Sequence, residues 1–159
     1  MARDFGTQEE IVLNELYTSV QGEGTRAGRA CVFLRLTGCK LRCSWCDTSY
    51  AFHEGRRRAL ADLVEEVLAT GISLVLLTGG DPLEQPGCLP LATALCEAGR
   101  EVLIETGGHE DTSRLDPRVV RILDVKCPGS QMETRNRWAN LALLRPSDEV
   151  KFVVADRAD

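Results

Sequence analysis

Gly38-Cys39-Lys40-Leu41-Arg42-Cys43-Ser44-Trp45-Cys46-Asp47-Thr48 places three cysteines at the spacing C-x3-C-x2-C. That spacing is too tight to join distant elements. It suits a loop folded around one inorganic centre, with three sulfurs pointing inward. Thiolates are soft donors and select Zn, Cu(I) or iron–sulfur clusters over Mg or Ca. Three ligands are one short of a closed zinc site or a ferredoxin-type cluster. Either a fourth ligand comes from elsewhere, His53 closing a Cys3His zinc site being one option, or the fourth position is open. An open iron on a 4Fe–4S cluster can bind a small molecule and do chemistry.

Outward from that loop, the chain reads as alternating strands and helices. Upstream, the apolar run Ile11–Tyr17 reads as a strand ending in a turn at Val20-Gln21-Gly22-Glu23-Gly24. Glycines there let a backbone approach a ligand, with Gln21 and Glu23 as polar contacts; plain exposed turn residues are the bland reading. Cys31–Leu36 is a second, largely buried strand that leads into the cysteine loop. Arg35 within it either snorkels to the surface or faces a cavity and grips an anion with its fork. Arg56-Arg57-Arg58 reads as a solvated loop or helix start.

Downstream, Ala59–Thr70 has helical apolar spacing with Gly71 as its stop. Ser73–Leu77 is a strand apolar on both faces, and Thr78-Gly79-Gly80-Asp81-Pro82 follows it. Loops at the carboxyl ends of such strands are where α/β folds put ligands. Cys88–Ala98 is a helix. Glu101–Ile104, Val119–Val125 and Glu149–Val154 are strands. A short helix or loop is expected near Thr112–Pro117, and a helix over Trp138–Leu144. The expected fold is α/β, a mostly parallel sheet, curled or open, forming one domain over residues 1–159.

Composition excludes several classes. Net charge is −5, so no broad basic field for nucleic acid is expected. The start Met1–Gln8 is polar, and no apolar run reaches the ~18 residues needed to span a bilayer. A cytoplasmic, reducing location follows, with thiols free or metal-bound. Of the 7 cysteines, Cys31, Cys88, Cys96 and Cys127 are expected to be small buried apolar residues. His53 and His109 are read as surface or supporting residues rather than metal ligands.

The cysteine triplet and the later Gly-Gly-acidic-Pro loop resemble the radical S-adenosylmethionine enzymes. The match extends through Val20–Gly24, Phe33–Leu36, Cys46-Asp47-Thr48, Thr78-Gly79-Gly80, Glu105–Gly108, Asp124-Val125-Lys126 and Asp148–Val153. In that order these segments resemble the 7-carboxy-7-deazaguanine synthase family, over nearly the whole chain.

The resemblance implies a partial, open (β/α) barrel, short at its C-terminus against the family. It implies a radical ring contraction of 6-carboxy-5,6,7,8-tetrahydropterin to 7-carboxy-7-deazaguanine with loss of ammonia, on the route to queuosine and other 7-deazapurines. Cys39, Cys43 and Cys46 would hold the 4Fe–4S cluster, and Thr48 would ligate Mg2+. Val20, Gln21, Gly22, Arg35 and Thr78 would bind substrate, with Glu23 as a further contact. Gly80, Asp124, Val125 and Lys126 would bind S-adenosylmethionine, with Glu105 as a further contact. The radical chemistry would be carried by the cofactor, with no catalytic side chain assigned. A flavodoxin- or ferredoxin-type reductant and a homodimer are also implied. Asp81 stands where the family has glutamate, so only the glycine backbone contacts of that loop carry over. Two alternatives stay open: an activase that installs a glycyl radical, and a zinc-stabilised module without catalysis.

Overall fold

The computed structural model describes residues 9–159; the polar start Met1–Gln8 lies outside the described residues. Among the described residues, seven strands form one sheet in the order β3-β1-β2-β4-β5-β6-β7. They are β1 (Glu10–Val20), β2 (Ala30–Leu36), β3 (Arg56–Ala59), β4 (Leu74–Gly79), β5 (Glu101–Thr106), β6 (Val120–Val125) and β7 (Glu149–Phe152). From β2 to β7 every neighbouring pair is parallel. β1 runs antiparallel to both β2 and β3. Two α-helices, α1 (Leu60–Ala69) and α2 (Cys88–Glu97), lie in the β3–β4 and β4–β5 connections.

The alternation of side chains along each strand sorts the sheet into two faces. Val32, Leu34 and Leu36 join Val75, Leu77, Val102 and Ile104 against Leu60, Leu63, Val67, Leu91 and Leu95 of the helices. Leu60, Leu63 and Val67 recur at helical spacing, which is why α1 can bury one stripe. The opposite face has a smaller apolar cluster of Cys31, Leu74, Leu76, Leu103 and Val120. Cys31, Cys88, Cys96 and Cys127 are all buried, as their apolar reading requires.

One local expectation is corrected and two are refined. Arg56–Arg58 is an edge strand, paired Glu10↔Ala59 to Leu13↔Arg56 with β1. Its charges suit an edge, where they oppose pairing with another sheet. Of the short helix or loop expected at Thr112–Pro117, the loop is found, built of turns. There Asn140, fully buried, accepts from the Thr112 amide and hydroxyl and donates to the Gly108 and Glu110 carbonyls. The helix expected at Trp138–Leu144 is a 3-10 helix over Trp138–Leu143.

Candidate active site

The second sheet face and the loops above it enclose a cavity of about 500 Å3. Its floor comes from strand ends. Arg35 and Thr78 are partners in the β2–β4 register, and Asp124 and Lys151 are partners in the β6–β7 register. Glu105 lies between them, so five strands each contribute a polar side chain near the carboxyl edge of the sheet. β1 contributes Tyr17 and Ser19 to the same cavity, although Ile11 and Leu13 belong to the helix-side core. All four positions are odd. The side changes because the β1–β2 register slips between Leu13 and Glu15, a bulge at Asn14.

The cysteine loop forms the opposite wall. Cys39, Cys43, Cys46 and Thr48 all line the cavity. The loop is fastened at several backbone points. Gly38 N donates to Ala51 O at 2.8 Å, Asp81 N donates to Gly38 O at 2.7 Å, and Ser44 N donates to Ser130 O at 3.1 Å. Arg42 stacks over the Phe52 ring at 4.3 Å. Burial pushes the Cys39 thiol up to about 12, with the Asp81 and Glu84 carboxylates adding to it. Burial also raises Cys43, against the pull of Lys126. Such thiols keep their protons until a cation displaces them.

Among the described residues, only Glu84, His109 and Glu110 bring three potential ligand atoms within 4.8 Å of one another. Three soft sulfur donors facing one cavity fit a thiolate-ligated group such as an iron–sulfur cluster. His53 is exposed, packs edge-on against Phe52 and does not line the cavity, so it does not close a Cys3His site.

The wall nearest β6 fits an organic cofactor with donor groups. Lys126 Nζ donates to Asp124 Oδ2 at 2.7 Å, while buried Asp124 Oδ1 has no hydrogen-bond partner. An unpaired buried acceptor is costly unless a partner satisfies it, and Asp124 lines the cavity. Burial works to lower Lys126, but Asp124 outweighs it and the ammonium is held charged.

Of the sequence-derived site residues, Val20, Gln21, Gly22, Glu23, Arg35, Thr78, Gly80, Glu105, Asp124 and Lys126 line the cavity together with the cysteines and Thr48. Val125 does not. Its side chain faces a second hollow behind the sheet, beside Trp138 and Phe152, because it alternates with Asp124. Gln21 is 4% exposed, so the bland reading of an exposed turn residue fails for it. Asp81 is also not a free ligand. Its carboxylate accepts from Thr106 Oγ1 at 2.8 Å, Gly107 N at 2.8 Å and Leu83 N at 3.0 Å.

Sequence reasoning missed Lys151 and Glu15. Lys151 Nζ bridges Glu105 Oε1 at 2.8 Å and Glu23 Oε2 at 2.7 Å inside the cavity. Its place in the Asp148–Val153 segment was the available signal. Glu15 Oε1 accepts from Arg35 Nε at 2.7 Å and from Tyr50 OH at 2.8 Å. No sequence signal marked it.

The Radical SAM superfamily profile matches residues 34–125. The chain is 45% identical to 7-carboxy-7-deazaguanine synthase of Koribacter versatilis, over 92% of this chain and 66% of that protein. It is 42% identical to the enzyme of the same name from Chlorobaculum tepidum, over 96% of this chain and 71% of the relative. The chain belongs to the 7-carboxy-7-deazaguanine synthase family. It spans about two thirds of the length of the Koribacter relative, at 66%. The crystal structure of QueE from Escherichia coli shares the family's fold with this chain, with a TM-score of 0.74 over 96% of this chain and 89% of that one, at 20% identity. The cysteine triplet, the Gly79-Gly80 loop and the Asp124 and Lys126 side chains of this chain meet around the cavity. No helix among the described residues is long and apolar enough to cross a membrane.

Proposed function

We propose that this chain contracts the ring of 6-carboxy-5,6,7,8-tetrahydropterin to 7-carboxy-7-deazaguanine with release of ammonia, as a radical S-adenosylmethionine lyase. One observation carries the reading: a single cavity is lined by Cys39, Cys43 and Cys46 on one wall and by Gln21, Arg35 and Thr78 at the other. Soft sulfur donors and a guanidinium able to meet a carboxylate thereby face the same small volume, which supports the reading.

The three cysteines would hold a 4Fe–4S cluster, and the Gly80 backbone, Asp124, Lys126 and the Val125 main chain would hold S-adenosylmethionine, with Glu105 close by. When bound, that pair supplies one-electron reduction and hydrogen abstraction. The chain's own groups bind and orient. Arg35 offers a fork to the substrate carboxylate. Gln21, Val20, Gly22 and Thr78 hold the bicyclic ring, with Glu23 at the rim. The Thr48 hydroxyl, a hard donor, would give Mg2+ its protein ligand, the rest coming from substrate and water. A cytoplasmic homodimer, with electrons from a flavodoxin- or ferredoxin-type protein, completes the proposal.

Anaerobic turnover tests it. Reconstituted protein with S-adenosylmethionine, Mg2+, dithionite and the carboxypterin should give 7-carboxy-7-deazaguanine, read by mass. The rate should rise with Mg2+, and Thr48→Ala should blunt that rise. A brown protein that cleaves S-adenosylmethionine but makes no product would sink the substrate assignment and leave the radical centre standing.

A further inference from the structure

A buried polar cluster beside the cavity has no part in the binding roles above: Asp81, Glu84 and His109. The His109 side chain is 3% exposed. Its Nε2 lies 2.7 Å from Glu84 Oε1, and a carboxylate oxygen accepts, so the imidazole donates. Its Nδ1 lies 3.4 Å from Asp81 Oδ2 and has no hydrogen bond. Both carboxylates come from the Asp81–Glu84 turn, where Asp81 caps a 3-10 helix by accepting from Leu83 N.

That turn also grips both neighbours of the first loop cysteine. Asp81 N donates to Gly38 O at 2.7 Å. Lys40 N donates to Glu84 Oε1 at 2.5 Å. Cys39 is therefore held between two hydrogen bonds from one short segment. His109 braces that segment from behind. The His109 and Glu84 side chains are withdrawn from water, 3% and 10% exposed, which strengthens the bond between them, whereas the Lys40 amide bond lies at the surface.

A cation site is the competing use, since Glu84, His109 and Glu110 converge. The ammonium of Lys40 already sits 2.8 Å from Glu110 Oε1, and Glu84 Oε1 is taken by His109 and the Lys40 amide. Those contacts already occupy the Glu84 and Glu110 oxygens that an ion would need.

We propose that His109 is a positioning residue for the cluster loop, acting through Glu84 on the Lys40 amide and so on the direction of the Cys39 sulfur. The inference rests on the reading of Cys39 as a cluster ligand and deepens it. With His109 gone, Glu84 is free to turn to solvent, and Cys39 loses the Lys40 tether while keeping those at Gly38 and the Arg42 bond to its own carbonyl. The cluster should still assemble but should leave sooner.

The test compares reconstituted wild type with His109→Phe, His109→Gln, Glu84→Ala and Glu84→Gln. Leu63→Ala, in the α1 core, serves as a destabilised control remote from the loop. The readouts are chelator-driven iron loss, the electron paramagnetic resonance spectrum of the reduced cluster, and thermal unfolding of the same samples. Iron loss should quicken about tenfold in His109→Phe and Glu84→Ala, as for one lost buried hydrogen bond to a charged group. The two Gln variants, which retain a donor or acceptor at the right reach, should stay within about threefold of wild type. Leu63→Ala should unfold earlier without releasing iron faster while folded. If His109→Phe and Glu84→Ala release iron no faster than Leu63→Ala, the positioning role is overturned. Should His109→Phe fail to fold, Glu84→Ala against Glu84→Gln decides the same point. A wild-type chain that takes up no cluster removes the reading of the cysteines instead, and is recognised before any variant is compared.

Discussion

Arg35 is a guanidinium aimed before any ligand arrives. Its Nε donates to Glu15 at 2.7 Å and its Nη2 to Tyr17 OH at 3.3 Å. Tyr17 in turn stacks on Phe33 with ring centroids 5.0 Å apart. Burial works to lower the Arg35 pKa, but the Glu15 hydrogen bond and the two tyrosines outweigh it, so the cation is kept. Its remaining edge is free to meet a carboxylate, with little rotamer freedom left to lose. Arg35→Ala should weaken substrate binding by about 2–3 kcal/mol, the range for a hydrogen bond to a charged group. Arg35→Lys should not restore it, because an ammonium lacks the fork. Substrate affinity by titration, with iron content alongside, checks both. Unchanged affinity in Arg35→Ala would remove the carboxylate contact.

Between elements, the decisive contact is the β4 loop against the cysteine loop. Gly80 N donates to Leu36 O at 2.9 Å, and a Cβ on Gly80 would lie 2.0 Å from Gly38 O. Real Cβ atoms do not come so close to a backbone oxygen, so only glycine allows the two loops to meet. Gly80→Ala should push the loops apart, cost about 2–4 kcal/mol as strain and lost packing, and lower the iron retained. Denaturant unfolding and iron analysis read the two effects. Wild-type values for both would show that the close approach is dispensable. The bulge at Asn14 works on the same scale. It turns Glu15, Tyr17 and Ser19 toward the cavity, whereas unbroken alternation would carry Leu13's parity into the helix-side core.

At the scale of the molecule, the edge strand β7 must stay docked for Lys151 to reach Glu105 and Glu23. Asp148 fastens it. Its side chain is 0% exposed and pairs with Arg121 at 3.1 Å and Arg145 at 3.0 Å. It also accepts from the backbone amides of Arg121 at 3.0 Å and Arg145 at 2.9 Å. Burial alone would raise its pKa, yet the arginines and amides outweigh burial and hold it at about 2, below the usual 3.8. A depressed carboxylate stabilises the fold fully above its unfolded pKa and loses that stabilisation as pH falls through the folded one. Asp148 should therefore contribute about 2 kcal/mol at neutral pH. That contribution should disappear between roughly pH 4 and pH 2. Asp148→Asn should be less stable at pH 7 and show a flatter acid limb. Denaturant titrations across that range decide it, and parallel acid limbs would assign the stability elsewhere.

Much of this was legible in the linear chain, because it depends on local order. The apolar runs at Cys31–Leu36 and Ser73–Leu77, the helical spacing after Ala59 and the cysteine spacing at 39, 43 and 46 specify strands, a helix and a ligand loop with near-neighbour information alone. The Gly-Gly loop after β4 and the polar residues after β6 marked which edge of the sheet would be functional. Other features needed the assembled structure, because they depend on residues far apart in sequence or on a one-residue slip. Arg56–Arg58 became a strand only because β1 offered it an edge. Val125 was taken out of the cavity by alternation with Asp124. Lys151 and Glu15 entered the site through strand pairing, across 46 residues to Glu105 and 20 to Arg35. His109 was indistinguishable from any loop histidine until folding buried it between Asp81 and Glu84. Local spacing therefore determined the elements and the chemistry on offer. The tertiary structure decided which side chains share one cavity, since burial and register are properties of the packed sheet and not of any segment in it.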